Sequence, residues 1–149
     1  MLTRRDYLKY SAVAGTVCTI PGGLLNAVES DAIIKRVIPK TGEELPVIGL
    51  GSSATFRTVA QSKDVSALKV VLQTLANQGG SVFDTAPSYG ASEEVAGSLV
   101  QELGIQESIF WATKVNVAPR GGGLANPDAA RAQIERSFRY IGKNPIDLI

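Results

Sequence analysis

Residues 81–104 read "SVFDTAPSYGASEEVAGSLVQELG", and the alternation inside this stretch decides what the rest of the chain must build. "SVFD" is an apolar run too brief for a helix, and "TAPSYG" carries the Pro and Gly of a loop. Ser92 then stands where a helix cap is expected. Behind it Val95, Ala96, Leu99, Val100 and Leu103 recur at three- and four-residue spacing, one stripe of an amphipathic helix that Gly104 stops. Strand, loop and amphipathic helix in that order form the unit of a β/α fold.

The unit recurs on both sides. Upstream, "PVIGL" reads as a continuous apolar strand. Ser62 caps a helix whose stripe is Val65, Leu68, Leu72, Leu75 and Ala76, ending at Gly79. Downstream, "SIFWATKV" is a third strand. Asn126 and Pro127 form an N-cap and first-turn pair for a helix with Ala130, Ile134, Phe138 and Ile141 on one face and Gly142 behind it. "PIDLI" begins a fourth strand. Ahead of this rhythm, "IIKRVIP" and "LPVIGLG" flank Lys40–Glu43 as a β-hairpin with Gly42 in its turn. Strand ends fall near Gly51, Asp84 and Lys114. Apolar strands alternating with amphipathic helices predict a parallel sheet with right-handed crossovers. Two α/β architectures fit: an open doubly wound sheet, and a (β/α)₈ TIM barrel. A barrel takes about 250 residues, so this chain provides about half of one.

The 149 residues are 44% hydrophobic and 19% charged, which suits one globular domain rather than a disordered chain. A net charge of +1 leaves no electrostatic footprint for nucleic acid. The single cysteine, Cys18, excludes an intramolecular disulfide and any cysteine-built metal cluster. With no histidine in these residues, proton chemistry falls to Asp, Glu, Lys and Tyr.

Residues 1–27 read as an address. "TRRDYLKY" is basic, "SAVAGTVCTI" is an uncharged apolar stretch, Pro21-Gly22-Gly23 breaks it, and Ala27 offers a cleavage position. Thr3 to Lys9 resembles the twin-arginine export signal, with Tyr7 where Phe is usual. The expectation is removal of residues 1–27, a linker at 28–32, and a periplasmic domain delivered by export machinery. The alternative is an uncleaved membrane anchor, although the apolar run is shorter than the roughly 20 residues of a spanning helix. Losing Arg4, Arg5 and Lys9 against Asp6 turns 15 basic and 14 acidic residues into 12 and 13, nearly neutral.

"GLGSSA", Gly49 to Ala54, matches the G-x-G-x-x-G/A dinucleotide fingerprint. A Rossmann site would need a helix starting near Ser53 and an acid about 20 residues further on. Here "TFRTVAQS" intervenes, and the first acid at a strand end is Asp84. A plain Gly-rich turn, and a loop lending backbone amides to a ligand, are the other readings of this motif. Asp84 lies where a strand emerges at its C-terminal end, the catalytic rim of β/α folds. By itself it also reads as a turn residue, and Tyr89 as a half-buried aromatic. Lys114 closes an apolar strand and needs solvent or a counter-charge. Neighbouring strands run about 4.8 Å apart, so Asp84 is within its reach. An ammonium beside a phenol favours the phenolate. An aspartate would hold the lysine, and the tyrosine would protonate an alkoxide forming from a carbonyl. Hydride would have to come from a cofactor.

Taken together, "LPVIGLGSS", "FDTAPSYGASEEVAGSL" and "FWATKV" resemble the N-terminal half of the aldo-keto reductase family over residues 33–149. The resemblance implies half of a (β/α)₈ TIM barrel whose bottom is closed by an N-terminal hairpin at residues 33–47. It implies NADPH, or NADH, as cofactor and a small carbonyl substrate, an aldehyde or ketone. Asp84 would position the lysine, Tyr89 would donate the proton, Lys114 would tune it, and Gly51 and Ser52 would lie by the cofactor. The family's fourth catalytic residue, a histidine, follows a "DLI"-like strand and has no counterpart here. The expectation is therefore a truncated site with little activity by itself, and open sheet edges prone to self-association. The alternatives are a non-catalytic module that binds a nucleotide or a partner protein, and a Rossmann-type dehydrogenase domain.

Overall fold

The apolar runs condense around Phe83. In the computed structural model of the chain, which describes residues 33–149 except Arg120 and Gly122, its ring is fully buried. Phe56 lies 5.2 Å away and Trp111 5.1 Å away, both edge-on, the geometry that ring quadrupoles favour. Leu72, Val100 and Ile109 are likewise fully buried. Each such side chain stabilises the fold by about 2–3 kcal/mol. The expected export signal at residues 1–27 and the expected linker at 28–32 lie outside the described residues.

The hairpin forms as expected. β1 (Lys35–Val37) pairs antiparallel with β2 (Glu44–Pro46). Its turn closes through the Gly42 amide on the Ile38 carbonyl, 2.9 Å. The strand expected over "PVIGL" is divided. Pro46 belongs to β2, and the Val47 amide still donates to Ile34 within the hairpin. Ile48 is 71% exposed, and only Leu50–Gly51 forms β3.

β3 pairs parallel with β4 (Val82–Asp84), which pairs parallel with β5 (Phe110–Ala112). Leu148 bridges Ala112 in the same parallel sense, so "PIDLI" does start a fourth position in the sheet. Asp147 fastens it there by accepting from the Trp111 amide at 2.8 Å. The parallel sheet is therefore as expected, and no closed barrel is present among the described residues.

The helices depart from expectation at their starts. A short helix, α1 (Thr55–Ala60), occupies the loop after β3, and α2 (Ser66–Asn77) begins later than Ser62. The Ser62 hydroxyl instead donates to the Val59 and Asp64 carbonyls. The amide of Ser66, the first residue of α2, is met by the Asp64 carboxylate at 2.9 Å. α3 (Ser92–Leu103) has Ala91 at its cap, because the Ser92 hydroxyl is turned inward to the Ser52 carbonyl. α4 (Pro127–Ile141) starts as expected: Asn126 accepts from the Asp128 and Ala129 amides, with Pro127 in the first turn. The α3–α4 contact requires Gly97, where a Cβ would come within 2.1 Å of the Tyr140 carbonyl oxygen. Among the described residues no helix is long and apolar enough to cross a membrane.

Candidate active site

Strand register brings the candidate residues to one edge. Gly51 lies opposite Asp84, and Asp84 opposite Ala112, so the three parallel strands end in one row. β5 ends at Ala112, not at Lys114 as the sequence suggested. Lys114 stands two residues beyond and reaches back across the rim. Its ammonium donates to Asp84 Oδ1 at 2.7 Å and to the Thr85 carbonyl at 2.9 Å. It also sits 5.3 Å from the centre of the Tyr89 ring, within range of a cation–π attraction.

Lys114 thus meets Asp84 and Tyr89 from a separate part of the sequence, and all three are partly open to solvent. Burial is the largest single influence on Lys114 and pulls its pKa down. The Asp84 hydrogen bond and charge, with Tyr89 adding to them, outweigh burial and hold it above the ordinary 10.5. The ammonium is therefore a fixed positive charge beside the phenol.

The loop carrying Tyr89 is set by backbone bonds. The Tyr89 amide donates to Ala86 at 2.9 Å, and the Ser92 amide returns to the Tyr89 carbonyl at 3.2 Å. Gly90 follows at φ 61°, where a Cβ would also meet the Gln61 side chain at 2.4 Å. Only glycine passes that point without strain.

Gly51 and Ser52 divide. Gly51 is exposed, with open space where a Cβ would project, so backbone there is accessible to a ligand. Ser52 is fully buried. Its amide and hydroxyl both donate to the Asp84 carbonyl, at 3.0 and 2.9 Å. Ser52 thus braces the strand end that presents Asp84, and Ser53 beside it is exposed.

One buried acid went unread in the sequence. Glu93 is 3% exposed and accepts from Thr113 Oγ1 at 2.6 Å and from Ser137 Oγ at 3.2 Å. Its signal was present, since Glu93 lies three and four residues before Ala96 and Gly97 on the buried face of α3.

Parallel β/α units with an Asp–Lys–Tyr cluster at the C-terminal strand rim define the class of protein. Residues 47–149 match the Aldo/keto reductase family, and the chain belongs to it. It is 31% identical over 116 residues to the aldo-keto reductase YhdN of Bacillus subtilis, covering 74% of this chain and 35% of that protein. It is 35% identical over 78 residues to the aldo-keto reductase Str7 of Strobilurus tenacellus, covering 52% and 23%. Among solved structures, an aldo-keto reductase from Pseudomonas aeruginosa superposes with a TM-score of 0.62 at 28% identity, over 76% of this chain and 44% of that one. The chain thus spans about a third or less of the length of these two curated relatives. α1 does begin close behind "GLGSSA", as a dinucleotide fingerprint would require, but membership of this family sets the Rossmann reading aside.

Proposed function

We propose that residues 33–149 carry the proton-handling part of an NAD(P)H-dependent carbonyl reductase site. The observation that carries this reading is the Lys114 ammonium held between Asp84 and Tyr89 at the strand rim. The donor set suits a cofactor of that kind. The accessible Gly51 backbone would flank it, and the Lys114 charge and the Tyr89 phenol face solvent at the same rim. A bound nicotinamide would supply hydride to the carbonyl carbon. The chain's own part is to receive the charge that grows on oxygen. Asp84 holds the ammonium beside the phenol, and Tyr89 delivers its proton to the alkoxide oxygen.

These 149 residues contain no histidine to orient the carbonyl, so the chain by itself is expected to bind the cofactor and turn over slowly. The test pairs NADPH and NADH titrations, read by nucleotide fluorescence, with aldehyde-dependent loss of absorbance at the nicotinamide band. Saturable binding weakened by Lys114→Met supports the reading. Absence of binding to either nucleotide overturns it. Brisk turnover abolished in Tyr89→Phe confirms the assigned roles but refutes the expected inactivity, while turnover unaffected by that change removes Tyr89 from the chemistry. The basic, twin-arginine-like start supports export of this activity, which fractionation of cells would check.

A further inference from the structure

Glu93 is a carboxylate in an unusual place. It sits in the first turn of α3, nearly excluded from solvent, and its two described partners are neutral hydroxyls rather than an ammonium or guanidinium. The positive end of the α3 dipole favours a negative charge there. A carboxylate only accepts, so both hydroxyls must point toward it. Each oxygen holds a different element: Oε1 takes Thr113, just past β5, and Oε2 takes Ser137 in α4.

Thr113 is the residue immediately before Lys114. Its amide is already used, donating to the Leu148 carbonyl at 2.9 Å, so backbone and side chain are both pinned. In extended chain, neighbouring side chains point to opposite faces. Thr113 is buried toward the helices, and Lys114 projects to the rim where Asp84 and Tyr89 stand. Backbone pairing reaches the Thr113 amide but not Lys114, whose exit then depends on how Thr113 is oriented.

We propose that Glu93 is a positioning residue for Lys114, gripping Thr113 from the helix side so that the ammonium emerges between Asp84 and Tyr89. This rests on the reductase reading for its functional meaning, but not for its test. Asp84 and Tyr89 are the titratable groups that face Lys114, and the reach to them depends on where Thr113 is held.

In the 149-residue chain labelled with ¹⁵N-lysine, the Lys114 titration is followed by NMR beside thermal melting. Glu93→Met keeps the length and removes both acceptor oxygens. It is expected to move the Lys114 midpoint down toward that of an ordinary lysine. Thr113→Val, close in shape and acceptable in extended backbone, is expected to do the same, and Thr113→Ser to keep the wild-type midpoint. Ser137→Ala removes the other hydroxyl without touching Thr113 and is expected to leave Lys114 in place. A folded Glu93→Met or Thr113→Val protein with an unmoved midpoint overturns the proposal, whatever its melting temperature. If Glu93→Met does not fold, Thr113→Val decides. No cofactor or turnover enters this measurement, so failure of nucleotide binding would sink the reductase reading and leave Glu93 to be judged separately.

Discussion

At the scale of single residues, the site turns on the Lys114–Asp84 pair. Because the folded-state pKa of Lys114 lies above its ordinary 10.5, the pair contributes stability that is fully present below that value. The contribution is lost as pH rises through the folded-state value. The Lys114 side chain is 39% exposed, so solvent screens the pair and its worth stays within about 1 kcal/mol. Lys114→Met is therefore expected to lower stability slightly at pH 7 and to match the wild type once the lysine is deprotonated. Urea melts at neutral pH and above pH 11 would check the sign; a deficit that grows with pH would contradict it. The pair was legible because strand spacing alone put an unneutralised cation beside an acid. Ser52 and Glu93 were not. The family resemblance placed Ser52 by the cofactor, and only three-dimensional structure shows that its hydroxyl also donates to the Asp84 carbonyl. Glu93 sat on an apolar face, but its partners come from positions 20 and 44 residues away.

At the scale of elements, periodicity located the helices better than their starts. The buried stripe Leu68–Leu72 of α2 and the buried Ala96, Leu99 and Val100 of α3 match the predicted faces. Ser62 and Ser92 failed as caps for one reason: a serine hydroxyl donates as readily as it accepts, and nearby carbonyls claimed both. Asn126 succeeded because its amide oxygen is an acceptor with the first two free α4 amides before it, and Pro127 presets the first turn. Asn126→Ala is expected to cost about 1 kcal/mol, read as a lower urea midpoint with an unchanged slope. A loss well under half of that would mean that neighbouring groups or water take over the cap. The division of "PVIGL" between hairpin and sheet was hidden, since an apolar run does not say which partner strand each residue joins.

At the scale of the whole molecule, the described sheet is open. β3 has β4 on one side and no strand on the other among the described residues. Beside that free edge lies an apolar cavity of 330 Å³ lined by Leu50, Phe56, Leu68 and Val71. At the far end Leu148 and Ile149 are about half exposed. α4 also presents a groove formed by Pro127, Ala130, Ile134 and Phe138. Parallel sheets are normally covered on both faces, and an uncovered edge is a template for another strand. The match covers only 44% of the similar Pseudomonas chain, so that chain includes material that these residues do not provide. We propose that, in a solution of this chain alone, another copy covers the open edge and its cavity. Light scattering on the purified chain is therefore expected to give a mass that rises above 15.7 kDa as concentration increases. Val71 is 42% exposed at the cavity mouth, so Val71→Lys is expected to lower the association while leaving the melting temperature nearly unchanged. A mass equal to one chain at every concentration would show that the open edge is protected, and an association indifferent to Val71→Lys would move the contact to the α4 groove.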